Sequence, residues 1–371
     1  MKTRIWIVFC LAILLGASQS FASGFEKILD GVVCSYVEAG GVSMNKNREW
    51  VAVINDSFYQ GKGNAGNKLF SLSMGKTCGA GAAAINDAGR WVAVIDDNLY
   101  SGSGNSSSYK RIWDANLSAY PEAGACGMNS SGDFVAVIDD EIVTGYGDSA
   151  YSVYHMGLDR RNMAGAAAIN DEGEWVAVVD DDVFVGKGTE VTKVQSLDLT
   201  NPPQAAACAI NEDGIWIALV GNNLYRGIKA TAVRIGVYDI ESEVRACAVA
   251  IEPSGDWVIL ADNDIFRGQD YNGPMKIYSG YGGMGTIETA SIAMNREGFW
   301  VATMNDEVVA GSGYRAERCF TPNLSQKAKA SGAAIDGSNG ILVLIDDELY
   351  LGEDPQLATI QKFRQLHGED R

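Results

Sequence analysis

Short apolar runs recur along the whole chain, and turns rich in Gly, Asn and Asp separate them. In one representative stretch, residues 81–85 are all small or aliphatic, whereas residues 91–95 are aromatic and β-branched. Alternate side chains of a strand point to opposite faces, and β-branched residues favour strands. We therefore predict strands at 81–85 and 91–95, a third that begins at Leu99 and is broken by Gly102 and Gly104, and a fourth at 109–113.

This four-strand unit repeats eight times. A polar turn residue marks each copy, at Asn45, Asn86, Asn129, Asn170, Asn211, Glu252, Asn295 and Asp336, and the spacings are 41 to 43 residues. Five residues later comes an apolar position, which is Trp50, Trp91, Phe134, Trp175, Trp216, Trp257, Trp300 and Ile341. Sheets of four strands that repeat about every 42 residues are typical of β-propellers. The sequence therefore predicts an all-β, eight-bladed propeller with four antiparallel strands per blade.

The domain limits follow from the same repeat. The first predicted strand of each unit carries small side chains on both faces, as expected where blades converge on an axis. Residues 25–29 match a fourth strand that lacks its own first three, so we predict that they complete the eighth blade and close the ring. The propeller then spans residues 23–355. The tail, residues 356–371, is a rival for that fourth strand or forms a short helix.

Residues 1–22 have the features of a secretory signal peptide. Lys2 and Arg4 precede an uncharged apolar run from Ile5 to Ala17, and Ser20 and Ala22 suit a signal peptidase. The run is short for a bilayer span, and no second one follows. We predict an exported protein, periplasmic or extracellular, without membrane insertion.

The net charge narrows the choice of partner. It is −18 for the whole chain and becomes −20 when Lys2 and Arg4 are removed. Such acidity repels nucleic acids and anionic membrane surfaces. We expect a protein or glycan partner and a monomeric propeller.

Six cysteines follow the signal peptide, namely Cys34, Cys78, Cys126, Cys208, Cys247 and Cys319. Fifteen disulfide pairings are compatible with that number. Cys34 and Cys78 lie in connections between units and are the preferred disulfide candidates. Cys126, Cys208 and Cys247 replace small residues in apolar strands, where packed thiols and disulfides are equally compatible with the sequence.

A repeated acidic turn follows the second strand of each unit. Its central position is Asp56, Asp97, Asp140, Asp181, Asn222, Asn263, Asp306 and Asp347, which predicts a ring of carboxylates on the face that carries the connections between blades. Asp and Asn also favour such turns for local reasons, because they bond their own backbone. The ring is therefore either turn chemistry or a site for a cationic partner or metal. Calcium is the metal it would take, with oxygens gathered from separate turns. We predict no other cofactor.

Aromatic residues outside the repeat register are candidate ligand-binding side chains, because variable loops usually hold function. They are Trp113, Tyr120, Tyr271, Tyr281 and Tyr314. The tryptophans that recur in the second strand fit packing between blades better than sugar stacking. The paired glycines after the third strand precede strands rather than helices, so they indicate turns or bulges and not a phosphate site.

The repeats resemble known bacterial propeller units. In the stretch N-x-x-G-x-W-V-A-V they are similar to the TolB-type repeat, and in the layout A-x-A-I-N, G-x-W and L-Y-x-G they are similar to tectonin- and tachylectin-type lectin repeats. The resemblance extends to the eight-bladed quinoprotein fold and to the outer-membrane assembly factor built on it. The Gly-to-Trp spacing is one residue shorter than in the quinoprotein motif, and a vicinal cysteine pair and a lipobox are missing. The resemblance implies the fold and no functional residue.

Three functions remain open on this sequence. The leading hypothesis is a non-enzymatic exported binding module that uses its loop-bearing face. The alternative is a lectin-like propeller with carbohydrate pockets between blades. The third is a hydrolase or lyase with a site at the mouth of the channel, for which no catalytic residue stands out, because His155 falls in an outer strand.

Overall fold

The computed structural model describes residues 24–30, 37, 39–72, 78–104, 108–117, 121, 123–157, 162–197, 199, 202–237, 244–280, 288–322, 324, 328–338 and 340–353. Within these residues, 32 strands form eight antiparallel sheets of four strands each. The innermost strand of every sheet contacts the innermost strands of both neighbouring sheets, so the sheets close into a ring. The prediction of an eight-bladed propeller is confirmed.

The strands follow one another in the order expected for blades. The N-terminal strand is β1 (Glu26–Asp30). Blades one to four are β2 (Gly40–Met44), β3 (Glu49–Ile54), β4 (Ser57–Lys62), β5 (Ala65–Ser71); β6 (Gly81–Ile85), β7 (Arg90–Ile95), β8 (Asn98–Ser103), β9 (Tyr109–Asp114); β10 (Gly124–Met128), β11 (Asp133–Ile138), β12 (Glu141–Tyr146), β13 (Ser149–His155); and β14 (Gly165–Ile169), β15 (Glu174–Val179), β16 (Asp182–Lys187), β17 (Glu190–Ser196). Blades five to eight are β18 (Ala206–Ile210), β19 (Ile215–Val220), β20 (Asn223–Ile228), β21 (Thr231–Val237); β22 (Cys247–Ile251), β23 (Trp257–Ala261), β24 (Asp264–Gly268), β25 (Met275–Ser279); β26 (Ala290–Met294), β27 (Phe299–Met304), β28 (Glu307–Ser312), β29 (Arg315–Phe320); and β30 (Ser331–Ile335), β31 (Gly340–Ile345), β32 (Glu348–Glu353).

Small residues in the innermost strands allow the blades to meet at the axis. A Cβ atom added to Gly41 would lie 2.9 Å from the Cα atom of Ala82 in the next blade. One added to Gly124 would lie 2.8 Å from the Cβ atom of Ala80. Larger side chains would push neighbouring blades apart, so the small residues of the sequence are a packing requirement of the ring.

The repeated tryptophans are buried between blades, as predicted. Their exposed fractions are 0–1%, and Trp50 packs with Ala330 and Leu342 of the eighth blade. Each of these rings also lies against a glycine in the third strand of its own blade. A Cβ atom at Gly102 would collide with the Trp91 ring, so glycine is required there by packing. Gly102 lies inside β8, and the prediction that it breaks the third strand was wrong. Gly104 alone leaves the strand, with φ of +55°.

The N-terminal strand completes the eighth blade. Strand β1 pairs antiparallel with β32, and the sheet order is β1-β32-β31-β30. Lys27 forms an ion pair of 2.6 Å with Glu348 across this junction. The prediction that this strand closes the ring is confirmed; residues 356–371 lie outside the described residues.

A row of asparagines joins successive blades near the axis. The side-chain Nδ2 of Asn45 donates to the backbone oxygen of Asn86 at 3.0 Å, and Asn170 donates to that of Asn211 at 2.9 Å. Equivalent bonds run from Asn86, Asn129 and Asn211 to the following blade. In the eighth blade Asp336 has no such donor, and Arg48 of the first blade bonds to it instead at 3.2 Å.

The propeller has two different faces. The connection face carries the links between blades and the turns between second and third strands, because Gly81 pairs with Ile95 at the end of β7. The hairpin face carries the turns between first and second strands and between third and fourth strands. The clefts described below open on the hairpin face.

Candidate functional site

One position of the third strand differs between the seams that are filled by arginine and the seams that contain clefts. It immediately precedes the glycine that packs on the repeated aromatic residue, and its side chain faces the next blade in the cases given below. Through the eight blades it is Gln60, Ser101, Thr144, Val185, Arg226, Arg267, Ala310 and Leu351. We call it the seam position.

Arginine at the seam position fills the space between blades. Arg226 and Arg267 are each 5% exposed. Arg226 bonds to Asp270 at 3.3 Å, and its guanidinium lies 4.5 Å from the ring centre of Tyr271. Arg267 contacts Glu252 and Asp256 and lies 5.6 Å from the ring centre of Tyr314. Guanidinium groups at these distances are attracted by aromatic faces.

These contacts give two of the predicted aromatic residues a structural role. Tyr271 and Tyr314 remain about half exposed, at 54% and 49%, but each has one face occupied by an arginine of the preceding blade.

Serine at the seam position leaves a cleft between the second and third blades. We call it the first cleft; its volume is about 560 Å³. Ser101 lies in its wall and donates to Asp148 at 2.9 Å. The other described lining residues are Arg90, Trp91, Gly102, Ser103, Ser108, Tyr109, Lys110, Met128, Gly132, Tyr146, Gly147, Asp148 and Ser149.

Two cations of the first cleft have no acidic counterpart. Arg90 donates to the hydroxyl of Tyr146 at 3.0 Å, and Lys110 reaches a backbone oxygen of Asp148 at 3.5 Å. Among the described residues, neither forms an ion pair with a carboxylate. Most other ordered cations of this acidic chain do, as Arg226, Arg267 and Lys193 show. The first cleft is therefore a site of local positive charge.

The wall of the first cleft also contains an unused donor. Trp91 is 1% exposed, and its indole Nε1 has no hydrogen-bond partner. The equivalent atoms of Trp50, Trp175 and Trp216 donate to a backbone oxygen thirteen residues later. The indole nitrogens of Trp257 and Trp300 also lack a partner, so three of the repeated tryptophans share this feature. Of these three, Trp91 is the one whose side chain lines the first cleft.

Threonine at the seam position leaves a second cleft, between the third and fourth blades. Its volume is about 490 Å³. Thr144 is 3% exposed, and its hydroxyl has no hydrogen-bond partner. The wall includes Phe134 and Trp175 and carries two acids against one lysine, in the set Asp133, Phe134, Thr144, Gly145, Tyr146, Ser149, Tyr151, Ile169, Glu172, Gly173, Trp175, Lys187, Gly188 and Thr189. Tyr146 and Ser149 line both clefts.

The carboxylates of the acidic turns bond within the turns and to nearby connections. Asp181 accepts from the backbone N–H of Leu199 at 2.8 Å, and Asp97 accepts from the side chain of Asn98. The preceding turn residues hold the connections: Asp262 accepts from the N–H groups of Arg245 and Ala246. None of Asp56, Asp97, Asp140, Asp181, Asp306 and Asp347 is fully exposed. Over the described part of the chain, no group of three or more His, Cys, Asp or Glu residues is placed to hold a metal.

The remaining predicted residues are dispersed. Trp113 packs between the second and third blades, and its Nε1 donates to Glu141 at 3.0 Å. Tyr120, Tyr281 and Cys34 lie outside the described residues. Cys78 is buried, its thiol lies 3.0 Å from the backbone oxygen of Ala80, and burial raises its pKa to about 12. The pairing of Cys34 with Cys78 stays a prediction.

The two mouths of the axial channel differ. At the connection face, a space of about 240 Å³ is lined mainly by Ala and Gly, with Arg245, Glu288 and Lys329 as the charged residues among the described ones. At the hairpin face, Arg296 of the seventh blade lies 3.2 Å from Asp171 and 3.5 Å from Glu212, which belong to the fourth and fifth blades. Arg296 thus spans the opening.

The sequence analysis missed the residues of the first cleft. Ser101, Arg90 and Lys110 are ordinary strand residues in the repeat. The available signal was the seam position, a third-strand position whose residue type differs between otherwise similar blades. Whether a change of residue at this position opens a cleft depends on which side chains of the neighbouring blade face it.

Eight four-stranded blades, closed by an N-terminal strand and with open clefts beside the third blade, define the chain as an eight-bladed β-propeller. It is structurally similar to streptogramin B lyase, with a TM-score of 0.55, 10% sequence identity and coverage of 76% of this chain and 94% of that one. It is also similar to the extracellular domain of the putative one-component system BT4673 from B. thetaiotaomicron, with a TM-score of 0.55, 11% identity and coverage of 89% of this chain and 40% of that one. At these identities the similarity shows the fold alone.

Comparisons of sequence add no narrower class. No family model matches the chain, and no curated protein matches it. In the described residues, no helix has the length and apolar character needed to cross a membrane.

Proposed function

We propose that this protein is a non-enzymatic, exported binding module whose ligand occupies the two clefts beside the third blade. The observation that carries the proposal is the change at the seam position. Ser101 and Thr144 leave clefts of about 560 and 490 Å³, whereas Arg226 and Arg267 fill their seams and bond to acids. Concave sites with a few converging polar groups are the usual form of ligand-binding sites.

The composition of the walls favours the carbohydrate-binding hypothesis over a flat protein interface. Tyr109, Tyr146 and Tyr151 are 43%, 52% and 56% exposed and stand at the two clefts. Partly exposed aromatic rings suit the apolar faces of sugars, and the serine and threonine hydroxyls suit sugar hydroxyls. Binding of a protein through the connection face remains the hypothesis of the sequence analysis, and no described contact adds to it.

Export is part of the proposal and rests on residues 1–22, whose basic start and apolar run are those of a signal peptide. N-terminal sequencing of the protein secreted by its source cells tests this part of the proposal. We expect the mature protein to begin after Ala22.

Filling the clefts tests the binding proposal. Leu351 occupies the seam position of the eighth blade at 7% exposure, so leucine fits the fold there. The variants Ser101→Leu and Thr144→Leu should fold, fill their clefts and abolish binding. A panel of free neutral and acidic oligosaccharides, screened by the melting temperature of the mature protein and then by calorimetry, supplies the ligands.

We expect at least one saccharide to bind the native protein and to lose binding at least tenfold in one of the leucine variants. Val185→Leu, which changes the seam position of the fourth blade by one methylene, is the matched control and should bind as the native protein does. Binding that persists in both Ser101→Leu and Thr144→Leu, or no binding by any saccharide, would contradict the proposal.

A further inference from the structure

The first cleft combines two features that the second cleft does not share. It has two cations without a carboxylate partner among the described residues, Arg90 and Lys110. It also has several serines in its wall and a single acid, Asp148, which already accepts from Ser101. The second cleft carries Asp133 and Glu172 against Lys187.

We propose that the first cleft binds an acidic saccharide, with the carboxylate of a hexuronate residue between Arg90 and Lys110. This inference rests on the proposed function and names the ligand class of one of its clefts. An arginine and a lysine without acidic partners are the groups that a carboxylate requires, and charged hydrogen bonds are stronger than neutral ones. Serine hydroxyls in the wall supply hydrogen-bonding partners for the sugar hydroxyls.

The net negative charge of the whole molecule makes two cations without a carboxylate partner in one cleft a distinctive arrangement. At a net charge of −18, an unpaired cation is drawn towards carboxylates of its own chain. Arg111, in the same strand as Lys110, does pair in this way, with Asp114 at 2.9 Å. Arg90 instead contacts Tyr146, whose ring centre lies 5.4 Å from the guanidinium. This contact fixes Arg90 at the edge of the cleft and leaves its other donors for a ligand.

An acidic peptide is the competing ligand. The first cleft favours the saccharide, because its wall offers serine hydroxyls beside two half-exposed tyrosine rings rather than an extended apolar groove. Phe70 stacks on one ring, that of Tyr109, and Arg90 lies over the other, that of Tyr146. Triglutamate carries the same number of side-chain charges as a trimer of hexuronates and serves as the peptide arm of the test.

The experiment measures dissociation constants by calorimetry with the mature protein. The probes are trimers of glucuronate, galacturonate and mannuronate, the methyl esters of the same trimers, and triglutamate. We expect at least one uronate trimer to bind tenfold more tightly than its methyl ester and than triglutamate, and to bind more weakly as salt is raised.

Three charge-neutralising variants locate the interaction. Arg90→Gln and Lys110→Gln should each weaken binding of the uronate trimer about tenfold. Lys62→Gln is the matched control, since Lys62 is 58% exposed and lies outside the cleft, and it should leave binding unchanged. Lys110 is exposed, so its variant keeps the test meaningful if Arg90→Gln lowers the melting temperature.

The outcomes separate this inference from the proposed function. Equal binding of a trimer and its ester, equal binding of triglutamate, or no difference between Lys110→Gln and Lys62→Gln would overturn the acidic-saccharide assignment. If Ser101→Leu nevertheless abolishes binding of a neutral saccharide, the proposed function stands. If the leucine variants bind every probe as the native protein does, the proposed function itself fails.

Discussion

Five of the blades use two glycines, one in the third strand and one in the following turn, and their tolerance to substitution should differ. In the fourth blade, Gly186 packs on the Trp175 ring, so a Cβ atom there would collide with that ring and with the backbone oxygen of Glu190. Gly188 has φ of +56° and open space around it. The fifth and sixth blades have Lys229 and Asp270 at the equivalent position, with φ of 51° and 50°.

We therefore predict that Gly186→Ala lowers the free energy of unfolding by at least about 2 kcal/mol, because overpacking a closed core forces its neighbours to move. Gly188→Asn should cost less than about 1 kcal/mol, because asparagine tolerates left-handed backbone. Urea unfolding followed by tryptophan fluorescence measures both. Equal losses in the two variants would show that the Trp175 contact does not set the requirement for glycine.

At the residue scale, the sequence identified the residues that pack the blades better than it identified the residues that line the candidate ligand-binding clefts. The repeated tryptophans and glycines follow local rules, so their roles could be read from the repeat. The roles of Tyr271 and Tyr314 could not, since the arginine that occupies one face of each ring comes from the preceding blade.

The N-terminal strand is the element on which closure depends. Strand β1 supplies the outermost strand of the eighth blade and pairs with β32. Phe25 stacks on Phe320 of the seventh blade with ring centres 5.0 Å apart. Without β1, the backbone groups of one edge of β32 lose their partners, and an unpaired edge favours association with other chains.

We predict that a mature chain beginning at residue 31 melts at a lower temperature than one beginning at residue 23 and self-associates as concentration rises. Light scattering and thermal melting over a concentration series measure the two effects. Adding the peptide of residues 23–30 should reverse both. A truncated chain that melts like the longer one and stays monodisperse would show that another segment completes the blade.

The acidic turns show the limit of reasoning at the element scale. Their place on the connection face follows from strand order, and the structure agrees. What the carboxylates do depends on the distance to backbone donors in the connections, as the bonds from Leu199 to Asp181 and from Arg245 to Asp262 illustrate.

One buried thiol, that of Cys78, and three partly buried ones, those of Cys126, Cys208 and Cys247, should make the whole molecule sensitive to alkaline pH. Burial raises the pKa of Cys78 and of Cys126 to about 12, and it raises the pKa of Cys208 and Cys247 as well. In the unfolded chain these thiols lose their protons near their ordinary pKa of 9.0. Above that pH the unfolded state binds fewer protons than the native state, so native stability falls as pH rises from about 9 towards 12 and is unaffected by these thiols below 9.

We predict that a disulfide reagent at pH 8 leaves Cys126, Cys208 and Cys247 unmodified in the native protein and labels them in urea. Mass spectrometry of labelled peptides identifies each site. In the variant Cys126→Ala, the decline of stability between pH 9 and 10.5 should be shallower than in the native chain. Rapid native labelling of these partly buried cysteines at pH 8 would show that the reagent reaches their thiols and would contradict the prediction.

The sequence by itself determined the number of blades, the order of their strands, the small residues at the axis and the closing strand. These depend on periodicity and on residue size, which are local properties that repeat eight times. Only the tertiary structure decided where ligands have room. Whether a seam is filled depends on one side chain and on what the next blade presents to it: Arg226 meets Asp270 and Tyr271 and fills its seam, whereas Ser101 meets Asp148 and leaves a cleft. That meeting joins residues more than forty positions apart, and local sequence patterns carry no information about it.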